Sequence, residues 1–280
     1  MAAHITYEKL LEVISLGLLK KIVVKNCLAD ITGTSKIKGA EYNGIYVGSP
    51  GRDIFFMLPY LKPKQMKEVA KRLADLLPQK APSNNVNIST CIRFIYGQFE
   101  KQGILRSKQD YKKMKKEKVN WDLPRKFLGL LCKELEVKEK YYGLTILSEI
   151  DAHRWGDEAV IDKDLDKLRV MEEKYLDTVK FAHKCKSYKH MFSPYFWAAK
   201  YFIKFGEHEK AIEYCKLNII NANKYCDKYV AVGDKYYVSR FLSCFQYIKD
   251  AGVLRWSTFE REYKSNIKSK TVKMAYKKIK

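Results

Sequence analysis

The sequence has few of the residues that interrupt helices, with 7 Pro and 14 Gly in 280 positions. That scarcity, and the absence of long polar runs, argues against a turn-rich β fold and for helices. No Cys-x-x-Cys pair occurs. The seven cysteines (Cys27, Cys91, Cys132, Cys185, Cys215, Cys226 and Cys244) are odd in number and dispersed. Such spacing excludes a disulfide framework, and reduced thiols inside apolar helical patterns are expected instead. Long apolar runs are also missing. A stretch such as Phe192 to Ala199 is far short of the roughly 20 residues a membrane helix needs, so no membrane partner is expected. The beginning, Met1 to Val13, has no basic segment leading into an apolar one, which argues against a secretory signal and for an intracellular, cytoplasmic or nuclear, location.

Acidic residues are outnumbered, with 32 Asp and Glu against 54 Lys and Arg, leaving a formal charge of +22. A field of that size attracts polyanions. Only ten of the basic residues are Arg, so the positive charge is mostly the flexible point charge that suits phosphates rather than the fork that reads bases. A coding composition biased towards Lys, Asn, Ile and Tyr would give the same excess without a function. Hydrophobic residues at 46% and aromatics at 13% are too abundant for a disordered chain.

Helical periodicity places Tyr7, Leu10, Leu11, Ile14 and Leu18 on one face of a first helix. A Gly-containing stretch follows, where Ile45–Val47 and Ile54–Met57 flank Gly48-Ser49-Pro50-Gly51 and predict a hairpin. The stretch Gly33 to Gly39 lacks the Gly-Lys-Ser/Thr ending of a phosphate loop. Residues 64–77 predict an amphipathic helix with Met66, Val69, Ala70, Leu73, Leu76 and Leu77 inward and Lys64, Lys67, Lys71 and Arg72 outward. Beyond Pro124 helices are expected at 125–137, 141–151, 164–187, 193–205, 208–223, 235–250 and 257–267. The last carries a capping box, Ser257 with Glu260. The basic tail from Tyr263 to Lys280 reads equally as a solvated end or as a backbone-tracking segment.

Within 88–123, Ser89-Thr90-Cys91-Ile92-Arg93 opens a helix that Glu100-Lys-Gln-Gly103-Ile104-Leu105-Arg106 closes. A Lys-rich stretch and the alternating Val119-Asn-Trp121-Asp-Leu123 follow. This pattern resembles the second half of a winged helix-turn-helix domain, with 64–77 as the preceding helix. The resemblance implies that Ser89, Thr90 and Arg93 face base edges in the major groove. It also implies that Lys108, Lys112, Lys113, Lys115, Lys116 and Lys118, on a wing hairpin at 104–123, meet phosphates, with Asn84, Asn85 and Asn87 near the backbone. A weaker resemblance, to one tetratricopeptide-type helical hairpin, rests on Tyr195, Ala198, Phe202, Gly206 and Ala211 within 193–224. Asn218 and Asn223 depart from that pattern, and no neighbouring repeat of the same period is found, so an ordinary helical hairpin is the simpler expectation.

Residues 149–173 form an acidic island in which Asp162, Asp164, Asp166 and Glu173 have a calcium-loop spacing, but Lys167 stands where the turn needs Gly. Asp162 or Asp164 as the cap of the next helix explains them more simply. His183, Cys185 and His190 do not converge on one helical face as zinc would require. No Ser/His/Asp or Cys/His arrangement can be argued from five scattered histidines. The expectation is therefore a mainly α chain: a winged-helix-like basic part with small β-hairpins over 1–124, then an all-helical part over 125–280. Its expected role is non-catalytic nucleic-acid binding, of DNA in preference to RNA, as in a transcription or replication factor, with no cofactor or metal. The alternatives are a helical interaction or virion-assembly protein with a protein partner through 190–250, and a metal-dependent enzyme using the acidic island.

Overall fold

Helices dominate because the apolar residues recur at their period. The computed structural model describes residues 40–42, 45–47, 62–76 and 122–279. Two short strands, β1 (Ala40–Tyr42) and β2 (Ile45–Val47), pair antiparallel with Ala40 opposite Val47 and Tyr42 opposite Ile45. The strand expected at 45–47 is present, but its partner precedes it. The signal that points there is Asn43-Gly44, a dipeptide suited to a two-residue hairpin turn. The expected partner at 54–57 and the first helix at 6–20 lie outside the described residues.

The chain divides into two compact units, at Leu147 and Ser148. In the first, α1 (Pro63–Leu76) packs on α2 (Asp122–Val137). Met66, Ala70 and Ala74 are buried one helical turn apart, and Phe127, Leu128, Leu131 and Leu135 are the buried residues of α2, while Lys64, Lys67 and Lys71 are exposed. The helix begins earlier than expected, so Asp122 and Leu123 do not form the end of a wing strand. Pro124 suits a first helical turn, where its missing N–H costs no bond.

α3 (Tyr141–Asp162) crosses the division and runs eleven residues beyond the expected end at 151. The acidic island does not break it because Asp151, Glu158 and Asp162 are neutralised locally. Arg154 reaches Asp151 at 2.8 Å and Glu158 at 3.6 Å, and Lys167 reaches Asp162 at 2.6 Å. Of the two expected caps, Asp162 and Asp164, it is Asp164 that caps α4 (Leu165–Cys185), accepting from the Lys167 N–H at 3.1 Å. Lys186, in the left-handed conformation at φ 57°, ends α4. A 3-10 turn, Tyr188–Met191, leads into α5 (Ser193–Phe205), with Pro194 in its first turn. Gly206, at φ 106°, turns the chain into α6 (His208–Tyr225), which packs along α5 as a helical hairpin. α7 (Lys235–Asp250) packs on α6, and the short α8 (Val253–Tyr263) and α9 (Lys270–Ile279) close against α7.

The core of the second unit is aromatic. Phe245 of α7 meets Phe259 of α8 at 5.8 Å and Tyr276 of α9 at 5.6 Å, each near edge-to-face. α8 starts at 253 rather than 257. Ser257 lies inside it, with its hydroxyl donating back to the Leu254 carbonyl at 3.0 Å instead of capping. Of the seven cysteines, Cys185, Cys215, Cys226 and Cys244 are buried free thiols and Cys132 is partly buried; Cys27 and Cys91 lie outside the described residues.

The basic tail folds back. Thr271, Val272, Ala275, Tyr276 and Ile279 are buried, while Lys270, Lys273, Lys277 and Lys278 remain exposed. Two residues of the α6 end hold it. Asn223 accepts from the N–H groups of Lys268 and Ser269 at 2.5 and 2.7 Å, and donates to the Asn266 carbonyl. Asp227 accepts from the Lys270 N–H at 2.7 Å and the Ser269 hydroxyl at 2.8 Å, supplying the anionic cap that the first turn of α9 needs. Asp227→Ala is expected to lower stability by about 1 kcal/mol, the usual cost of losing a cap. It should be read as a lower urea midpoint at unchanged slope. An unshifted midpoint would show that the terminal helix is held by its apolar face alone.

Candidate functional site

Glu149, His153 and Asp157 recur every fourth residue, on one face of α3. That face turns into the second unit, where burial forces each polar group to find a partner. Tyr175 of α4 shares a hydrogen bond with His153 Nδ1 at 2.9 Å. Tyr201 of α5 donates to the His153 carbonyl at 3.1 Å and to Asp157 Oδ1 at 3.0 Å. Tyr201 comes this near because residue 156 is Gly. A Cβ there would lie 2.8 Å from three carbons of the Tyr201 ring. Burial, with Tyr201 and Glu149 nearby, pushes the Tyr175 hydroxyl well above the ordinary tyrosine range, so it keeps its proton.

At the other end of the stripe, Glu149 is 2% exposed and lies 3.3 Å from His190 Nε2. His190 Nδ1 is 2.7 Å from the Ser187 hydroxyl. Hydroxyl, imidazole and carboxylate in line is the order of an activated nucleophile. Ser187, however, is 6% exposed and sits in the turn that carries His190, leaving an acyl group no approach to its oxygen. The chain is a buried clasp between α3 and the segment after α4. Burial opposes the charge on Glu149, but His190, by charge and hydrogen bond, together with Lys189 and His153, holds its carboxyl well below the ordinary glutamate range.

The third part of the site is positively charged. Arg240 of α7 is only 7% exposed, and its guanidinium lies 4.1 Å from the ring centre of Phe196, 5.2 Å from Trp197, 5.2 Å from Tyr236 and 5.5 Å from Tyr237. One of its nitrogens, Nη2, has no hydrogen-bond partner. Lys200, on α5 with Phe196 and Trp197, places its ammonium 5.1 Å from the Trp197 ring and 5.6 Å from Phe196, and Lys204 lies over Tyr201 at 5.7 Å. Among the described residues, none of these three cations forms an ion pair. Partial burial, then the like charges of Lys204 and Arg240, pull the Lys200 ammonium below its ordinary range. Asp234 fixes the α7 side of the cluster by capping the helix, accepting from the N–H groups of Tyr236 at 2.9 Å and Tyr237 at 3.3 Å. Trp197 also meets His153 edge-on at 5.1 Å, so the cationic cluster adjoins the buried stripe.

All nine positions expected to contact nucleic acid, Ser89, Thr90, Arg93, Lys108, Lys112, Lys113, Lys115, Lys116 and Lys118, lie outside the described residues, as do Asn84, Asn85 and Asn87. His183, Cys185 and His190 do not meet. His183 lies edge-on to Tyr225, the Cys185 thiol donates to the Ala182 carbonyl, and His190 belongs to the clasp. The acids of the calcium-like spacing are engaged locally, Asp162 by Lys167, Asp164 as a cap and Asp166 by Arg169. Among the described residues no cluster of three or more His, Cys, Asp or Glu is placed to hold a metal ion. Asn218 is buried against Cys244 with its carbonyl oxygen unpartnered. A helix that stops at 151, as the pattern predicts, leaves His153 and Asp157 off this face. Carried on to 162, the same periodicity aligns Glu149, His153 and Asp157. For Arg240 there was no local signal.

Because folding lowers the Glu149 pKa, the stability it contributes is complete above the ordinary value of 4.5 and is lost as pH falls below it. Glu149→Gln is expected to cost about 3 kcal/mol at neutral pH, as when one partner of a buried pair is removed. Its urea midpoint should also fall less steeply than wild type below pH 4.5. Parallel acid limbs for the two proteins would contradict the clasp.

No protein family, curated protein or solved structure matches this chain.

Proposed function

We propose that the protein binds nucleic acid without acting on it chemically. The observation that carries this reading is the group of three unpaired cations, Lys200, Lys204 and Arg240, set among aromatic rings in a chain of net charge +22. Like charges held together raise the energy of the free protein, and an anionic backbone relieves it. Interleaved rings add stacking and cation–π surface. The winged-helix resemblance at 64–123 adds a second nucleic-acid element to the same reading, with DNA as its expected target.

A second reading, a protein partner through 190–250, is supported by the exposed side chains of Tyr229, Val232 and Tyr236 between and at the start of the helices α6 and α7. It predicts that nucleic acid leaves the melting temperature unchanged. None of the described helices is long and apolar enough to cross a membrane.

Binding to labelled single-stranded and duplex DNA is expected at low salt, with the logarithm of affinity falling linearly with that of salt concentration. Replacing both Lys200 and Lys204 by Ala should make that slope shallower by roughly 1.4, about 0.7 for each phosphate released from a single strand. Fluorescence anisotropy reads both quantities. Failure to bind any DNA or RNA at low salt would end the proposal.

A further inference from the structure

We infer that the cluster of Phe196, Trp197, Lys200, Tyr236 and Arg240 takes unpaired nucleotides, stacking a base on Tyr236 and setting the adjoining phosphate on the exposed Lys200, within the field of the buried Arg240. This rests on the nucleic-acid reading above and narrows it to single strands. The first reason is the guanidinium. A desolvated cation that no acid pairs with is costly, and an anion held beside it at Lys200 lowers that cost through space. Glu149, a carboxylate whose charge reaches Arg240, is already engaged by His190.

The second reason is the kind of surface around that guanidinium. Tyr236 is 57% exposed and stands at right angles to Tyr237, 5.2 Å away, at the capped start of α7. Phe196 and Trp197 are half-buried and meet at 71°. A duplex keeps its bases stacked on one another and offers lysines its phosphates alone, for which rings are unnecessary. Single strands present π-faces, and rings beside cations are what they stack on. Lys200 and Lys204, one helical turn or roughly 6 Å apart, continue the positive line along α5.

The test uses the full chain and three 20-nucleotide probes of equal charge per strand: oligo(dT), an abasic strand with the same phosphates, and a duplex. Wild type should bind oligo(dT) about tenfold more tightly than the abasic strand, the effect of one stacked base. Tyr236→Ala, at an exposed position, should abolish that ratio, and Tyr236→Phe should keep it. Equal affinity for oligo(dT) and the abasic strand would overturn the single-strand site while leaving backbone binding intact. A ratio unaffected by Tyr236→Ala would also overturn it. Binding of no probe would overturn the nucleic-acid reading itself.

Discussion

Tyr201 packs on Gly156 so closely that no side chain fits between them, and this contact fixes how near α5 comes to α3. The polar contacts between α3 and α5 follow from that spacing. At this distance the Tyr201 hydroxyl reaches the His153 carbonyl and Asp157, and Trp197, one turn earlier, meets the His153 ring. Were the helices held apart by even one methyl group, the tyrosine would withdraw and its hydrogen bond to the half-buried Asp157 would be lost. Overpacking of that kind costs about 1–3 kcal/mol.

The charges fall into two kinds. Along α3 and the start of α4, acids and bases neutralise one another within a few residues, as in Arg154 with Asp151 and Lys167 with Asp162. These part-buried pairs let an acid-rich stretch remain helical. Around α5 and the start of α7 the cations have rings for neighbours in place of acids. Aromatic faces tolerate a desolvated guanidinium without cancelling its charge, so Arg240 keeps its capacity for an anion. Among the described residues, Lys200, Lys204 and Arg240 thus form a cationic group framed by rings instead of acids.

The terminal helix adds to that rigidity. Asn223 and Asp227 supply acceptors to the backbone before and at the start of α9, and Tyr276 donates to Glu260 across the α8–α9 pair. α9 therefore completes the aromatic core behind α7, the helix that carries Tyr236 and Arg240. Its lysines stay at the surface because they occupy the helix face opposite Val272, Ala275 and Ile279.

The chain's own pattern carries the mainly helical class, most helix boundaries after Pro124, the choice of Asp162 or Asp164 as the α4 cap, Met66 and Ala70 on the inward face of α1, and the burial of Cys185, Cys215, Cys226 and Cys244. All are set by periodicity and by contacts within a few residues, where neighbours along the chain decide the outcome. It misled where a local cue had a tertiary competitor. Ser257 and Glu260 read as a capping box, yet Glu260 is drawn to Tyr276, sixteen residues away, and the hydroxyl turns back on its own helix. The helical pattern read as ending at 151, yet α3 runs on to Asp162 with its acids paired to Arg154 and Lys167. Only the tertiary structure decided that Glu149 finds His190, that Tyr201 finds Asp157, and that Lys200 and Arg240, forty residues apart, share one set of rings. These partners meet because helices pack at angles and distances set by small residues such as Gly156, and no period along the chain encodes that.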